Sequence, residues 1–215
     1  MTEKKRIGIL LSGRGTNFEA IADSVAAGRV SNAEIAIVIS NRAEALGIES
    51  ARRRGLETRV LPSKGKERQA HDAEVVAALQ EKKVDLVCLA GYMRLLSPWF
   101  VQQFPQRILN IHPALLPAFA GLEAQKQAFD HGVKVSGCTV HLVDEQLDHG
   151  AIVVQRTVPV LDTDDEHTLA ARILEQEHIA YTDAINLVLG GKFEVVGRRV
   201  LSKPGGGRGT LPAEC

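Results

Sequence analysis

Aromatic side chains are scarce here, with one tryptophan, two tyrosines and six phenylalanines in 215 residues. That is too few for a platform on which the bases of a single strand could stack. There is no charge excess either: 26 Lys and Arg balance 26 Asp and Glu, so no overall field draws in nucleic acid or an anionic membrane. Hydrophobic runs such as Val84 to Ala90 fall far short of the roughly 20 residues a bilayer span requires. The basic Lys4-Lys5-Arg6 leads directly into a strand pattern without a cleavage-site signature. Cysteine is limited to Cys88, Cys138 and Cys215, an odd and widely spaced set that suits reduced thiols and neither a zinc site nor a disulfide framework. These absences imply a cytoplasmic protein whose partners are small molecules, with no nucleic acid and no membrane among them.

What is present is apolar matter for a core. At 45% hydrophobic content, a chain of this size can bury about 70% of its unfolded surface in one domain. Short β-rich runs at 6–11, 34–40, 58–61, 86–90 and 108–111 alternate with helical patterns at 17–27, 43–54 and 67–83. That alternation predicts an α/β, doubly wound, mostly parallel twisted sheet with helices on both faces and ligands beyond the carboxyl ends of the strands. A further helix is expected at 121–130. Residues 136–143 and 151–160 read as an antiparallel pair around a loop at 144–150, and 168–189 as a long closing helix. One domain over 1–202 is expected, with a Rossmann-like phosphate-binding half to about 105 and a catalytic half beyond it. The glycine- and proline-rich 203–215 reads as a flexible tail.

Ser12-Gly13-Arg14-Gly15-Thr16-Asn17 follows the first strand and opens the first helix, where backbone amides and the helix dipole favour an anion. A dinucleotide fingerprint would need glycine at Phe18 and an acid ending the second strand, where Ser40-Asn41-Arg42 stands. Nicotinamide cofactors are therefore not expected. A Walker loop would need lysine at Arg14 and Ser or Thr at Gly15, so a nucleoside triphosphate is disfavoured too. A single phosphate remains, beside the plainer alternative that Gly13 and Gly15 only make a tight turn.

Asn110 and His112 end the strand at 108–111. Residues i and i+2 share a face, so both enter the cleft together. Asp148 can be read as a turn residue before Gly150, or as a carboxylate returned to the cleft mouth. An amide, an imidazole and a carboxylate are the groups that steady an oxyanion and move a proton at neutral pH. His141 could join His112 and Asp148 around a metal, but no H-E-x-x-H or paired cysteines support one, and no metal is expected. A Gly-x-Ser-x-Gly elbow is missing as well, which argues against a covalent intermediate.

Four segments carry a resemblance: Ser12 to Asn17, Leu89 to Ser97, Asn110-Ile111-His112-Pro113-Ala114-Leu115-Leu116-Pro117, and Gly137 to His141 continuing to Asp148-His149-Gly150. In order and spacing the chain resembles the folate-dependent phosphoribosylglycinamide formyltransferases, within the wider formyltransferase superfamily, from about residue 5 to 200. The resemblance implies formyl transfer from 10-formyltetrahydrofolate, as co-substrate, to the amine of glycinamide ribonucleotide in purine biosynthesis. It implies Asn110, His112 and Asp148 as catalytic residues. Gly15, Thr16, Asn17 and Glu177, with Leu174 to Gln176 alongside, match the ribonucleotide site. Arg68, Met93, Arg94, Leu95, Leu96, Asn110, Asp144, Leu147 and Asp148 match the folate side. Departures are Ala114 where serine is frequent, Phe18 where leucine is common, and Ala151 where proline usually follows the turn. Asp148 is expected to raise the pKa of His112 and keep it charged. Two other readings stand beside this one: a hydrolase in which water accepts the formyl group, and a non-catalytic nucleotide-binding module. Methionyl-tRNA formyltransferases need a basic carboxyl-terminal domain that this neutral chain lacks. Either a monomer or a homodimer is compatible with the sequence.

Overall fold

The computed structural model describes residues 3–203. In chain order the elements are β1 (Lys5–Leu11), α1 (Thr16–Ala26), β2 (Ala33–Ser40), α2 (Leu46–Arg53), β3 (Thr58–Val60), α3 (Arg68–Glu81) and β4 (Leu86–Leu89). There follow α4 (Pro98–Gln103), β5 (Ile108–His112), α5 (Ala124–Asp130), β6 (Val135–Leu142), β7 (Ile152–Pro159), α6 (Glu166–Gly190), β8 (Phe193–Val196) and β9 (Arg199–Ser202). They build one nine-stranded sheet in the order β3-β2-β1-β4-β5-β6-β7-β9-β8.

The first five strands pair in parallel, while β5–β6, β6–β7 and β8–β9 are antiparallel. Strand alternation divides the core. Ile7, Ile9 and Leu11 of β1, Leu86 and Cys88 of β4 and Leu109 of β5 pack with α1, α2 and α6. Leu10, Val87, Leu89 and Ile108 face the other way, against α3 and α4. A period of two therefore fills both faces, as a doubly wound sheet demands.

Helix ends are specified locally. In α6, Asp165 accepts from the Thr168 amide at 2.8 Å and the Thr168 hydroxyl accepts from the Asp165 amide at 2.9 Å, a reciprocal capping box. That cap starts the helix at Glu166, two residues before the expected position. Ser97 caps α4, and Pro98 supplies its first turn. Neither α4 nor the β8–β9 hairpin was anticipated from the hydrophobic pattern; both elements are short, and the hairpin turns at Gly197, at φ +61°. Beyond Lys203, the expected tail and Cys215 lie outside the described residues. Within them, no helix is long and apolar enough to cross a membrane.

Candidate functional site

Parallel strands bring their carboxyl ends to one edge, where the loop after β1 and the end of β5 lie, while the loop carrying Asp148 follows the antiparallel β6 from the amino end of β5. Asn110 on β5 lies beside Leu89 of β4, which lies beside Leu10 of β1. Leu10, two residues before the loop after β1, is thus two strand spacings, about 10 Å, from Asn110.

The loop at residues 12–15 needs the second of its two glycines. Gly15 has φ +84°, and a Cβ there would stand 2.7 Å from the Gly47 Cα, so only glycine allows α2 to approach. Asn17, in the first turn of α1, donates from Nδ2 to Glu177 Oε2 at 2.7 Å. Glu177 is only 6% exposed. Burial pushes its carboxyl above the ordinary range, and the Asn17 bond only partly offsets this. One turn later on α6, the Tyr181 hydroxyl contacts the carbonyl oxygens of Leu89 and Leu109 at 3.1 and 3.0 Å, which locks Glu177 over the junction of β4 and β5.

Asn110 and His112 face β6, opposite His141 and Thr139. Asn110 Nδ2 lies 3.2 Å from His141 Nε2, and His141 Nδ1 lies 3.0 Å from the Leu142 carbonyl oxygen. Which of the two ring nitrogens donates depends on the tautomer. In either, the second N–H of Asn110 is left for another acceptor. Asp148 comes from the loop between β6 and β7. Its Oδ2 stands 3.3 Å from His112 Nδ1, and its Oδ1 3.6 Å from His141 Nε2. The same Oδ2 accepts from the Gly121 amide at 2.9 Å. Asp148 sits at φ +48°, a left-handed conformation that Asp tolerates better than most residues. Gly150 makes the loop return possible, because a Cβ there would lie 1.8 Å from the Leu142 carbonyl oxygen.

Electrostatics differ from the sequence expectation at one point. Burial lowers the His112 pKa, and Asp148 and the Phe119 hydrogen bond oppose it without overcoming it. The ring is thus held below its ordinary value, not above. Burial would lift the Asp148 carboxyl, but His141, the Gly121 amide and His112 outweigh it, leaving the group below the usual carboxylate range. Cys88 and Cys138 are buried free thiols. Burial, aided by Glu177, pushes the Cys138 thiol up to about 12, so neither geometry nor ionisation makes it a nucleophile.

Of the folate-side residues implied by resemblance, Met93, Leu95 and Leu147 are 61%, 51% and 57% exposed. Leu96 is half-buried and Arg68 is exposed at the start of α3. Arg94 turns towards the carbonyl oxygens of Ser63 and Lys66, at 3.4 and 3.3 Å. Asp144 is engaged in its own loop, by His149 at 2.7 Å and the Gln146 amide at 2.9 Å. Thr16 is half-buried in the first turn of α1.

A model of the formyl transferase family matches residues 5–185. The chain belongs to the formyl transferase family. It is 38% identical over 190 residues to the phosphoribosylglycinamide formyltransferase of Escherichia coli strain K12, covering 88% of this chain and 89% of that protein. It is 45% identical over 195 residues to the trifunctional purine biosynthetic protein adenosine-3 of Drosophila pseudoobscura pseudoobscura. That match covers 90% of this chain but only 14% of the relative's length. Among solved structures, glycinamide ribonucleotide transformylase 1 from Symbiobacterium toebii superposes with a TM-score of 0.91 at 50% identity, over 94% of this chain and 96% of that one. Sequence reading brought Asn110, His112 and Asp148 forward but considered His141 only as a metal ligand. It did not single out the Phe119 carbonyl or the Gly121 amide, since backbone groups leave no residue-type signal.

Proposed function

We propose that this formyl transferase moves the formyl group of 10-formyltetrahydrofolate directly to the amine of glycinamide ribonucleotide, giving the formamide and tetrahydrofolate. The observation that carries the reading is the convergence of Asn110, His112 and Asp148 about two strand spacings from β1, beyond which Asn17 holds the buried Glu177. In this reading the phosphate meets Gly15 to Asn17, Glu177 accepts hydroxyl protons of the ribose, and Met93, Leu95 and Leu147 offer apolar surface to the pterin. The reading places the enzyme in purine biosynthesis and in the cytoplasm.

Attack by the amine turns the formyl carbon tetrahedral and puts negative charge on its oxygen. The second N–H of Asn110 donates to that oxygen. His112 supplies another donor once its Nε2–H leaves the Phe119 carbonyl, which at 2.8 Å is its present acceptor. Each such donor is worth about 3 kcal/mol, roughly a hundredfold in rate. With its proton shifted to Nδ1, facing Asp148, the neutral ring released from Phe119 leaves Nε2 open to take up the amine proton. As the imidazolium forms, Asp148 stabilises it through Nδ1 until the proton passes to the departing folate nitrogen. No bond to the enzyme forms at any stage. Consumption of 10-formyltetrahydrofolate, followed with and without glycinamide ribonucleotide, tests the assignment. Turnover only with the amine supports transfer, turnover without it would make the chain a hydrolase, and none in either case would leave a binding module.

A further inference from the structure

Four neighbouring parallel strands are joined just beyond their carboxyl ends by hydrogen bonds through Ser12, Asn41 and Ser63, side chains that the chemistry above does not use. In the sheet order β3-β2-β1-β4, the residues concerned are Ser63, Asn41, Ser12 and Met93. The Met93 amide donates to Ser12 Oγ at 2.8 Å, the Ser12 hydroxyl donates to Asn41 Oδ1 at 2.6 Å, and Asn41 Nδ2 donates to Ser63 Oγ at 3.0 Å. Backbone bonds run alongside, from the Ser12 amide to the Gly91 carbonyl at 3.0 Å and from the Ser63 amide to the Asn41 carbonyl at 3.2 Å. Arg94 closes the circuit with its longer bond to the Ser63 carbonyl, at 3.4 Å.

Ser12 occupies the critical step. It is 3% exposed, Asn41 is 6% exposed, and the hydroxyl both donates once and accepts once. Its removal would take the acceptor from the Met93 amide and leave the buried Asn41 Oδ1 without its donor. Ser12 is also the first residue of the loop proposed to meet the phosphate, and Met93 is the first residue of the stretch assigned to folate. Beside the Ser12–Gly91 backbone bond, this hydroxyl is the side-chain tie between the two loops on which the two substrates are expected to lie, across the point where strand order reverses.

We propose that Ser12, braced by Asn41, is a positioning residue that couples the ribonucleotide and folate subsites. This rests on the function proposed above. Ordering of the phosphate loop by one ligand orders Met93 to Leu96 for the other, and the coupling is reciprocal because it is a property of the equilibrium between ligand states. Neither substrate needs to touch Ser12 for this to operate.

Calorimetric titration of tetrahydrofolate, alone and with saturating glycinamide ribonucleotide, reads the coupling as a ratio of dissociation constants without turnover. The wild-type ratio is expected to be at least about fivefold. In Ser12→Ala it should fall close to one, and in Ser63→Ala, which loses only the outer step at a half-buried residue, to an intermediate value. A wild-type ratio retained in folded Ser12→Ala would overturn the inference. Should Ser12→Ala melt early, Ser63→Ala decides, and an unchanged ratio there overturns it equally. If both ligands bind the wild-type chain independently, the coupling fails while the function stands. If either does not bind at all, the function fails and this inference with it.

Discussion

The Nε2–H of His112 is donated to the Phe119 carbonyl oxygen at 2.8 Å, so the candidate catalytic ring is tied to the segment that follows its own strand. The ring's other nitrogen faces Asp148 at 3.3 Å, and Asp148 in turn holds the Gly121 amide at 2.9 Å. Residues 119–121 are thereby held from both ends of the His112–Asp148 pair, and the proposed reaction requires His112 to release the Phe119 carbonyl.

That arrangement should be visible in hydrogen exchange. The Gly121 amide is expected to exchange slowly in the wild-type chain and markedly faster in Asp148→Ala, where its acceptor is gone. Equal protection in both would mean that the bond does not persist in solution.

His112 should titrate below about 6.5, the ordinary histidine value, because burial outweighs Asp148. In Asp148→Asn the opposing charge is lost, so the value should drop further. Histidine NMR titration of the unliganded chain checks both, and an upward movement in Asp148→Asn would contradict the account. The consequence for stability has a definite sign. A histidine whose folded value is depressed binds its proton more readily when unfolded, so stability is lost as pH falls through about 6.5 towards the folded value. Between about pH 8 and about pH 5.5, the wild-type chain should lose more in Tm than His112→Gln.

Glu177→Gln should separate stability from function. The buried carboxyl has a raised pKa, so the folded state disfavours its ionised form and stability falls as pH rises above the ordinary carboxylate value. An uncharged glutamine can still accept from Asn17. At neutral pH the variant should therefore melt higher than wild type while its KM for the ribonucleotide rises. A lower Tm with unchanged KM would show that the ionised group serves the fold instead.

Gly15→Ala tests the role proposed for the loop after β1. Its φ of +84° and the 2.7 Å approach to Gly47 make any side chain strained. The conformation alone costs roughly 1–2 kcal/mol, and each kcal/mol moves Tm by about 2–4 °C in a chain of this size. A drop in Tm with a raised KM for the ribonucleotide is expected. A substitution neutral in both measurements would show that the loop can relax without affecting the site.

Much of this architecture could be read from the chain because the buried strands are strongly patterned. The alternation of Ile7, Ile9 and Leu11 against Leu10 signals a strand covered on both faces, and the same is true at Leu86 to Leu89. Asn110 and His112 were legible from their i and i+2 spacing at the end of such a strand. The arrangement around them was not. Whether Asp148 returns to the cleft depends on a left-handed turn and a glycine packed on the Leu142 carbonyl, and the direction of the His112 shift depends on how much water three loops exclude. The short α4 helix escaped notice despite its Ser97-Pro98 start, since six residues give no helical period. Ser12 and Asn41 are 29 positions apart, and only the pairing of β1 with β2 brings them together.

The most direct test compares wild-type and His112→Ala chains supplied with both 10-formyltetrahydrofolate and glycinamide ribonucleotide, with the formamide and tetrahydrofolate measured separately. Wild type should produce the two in equal amounts, and the variant should do so about a hundredfold more slowly while remaining folded. A variant as fast as wild type, or folate released by wild type without matching formamide, would contradict the account.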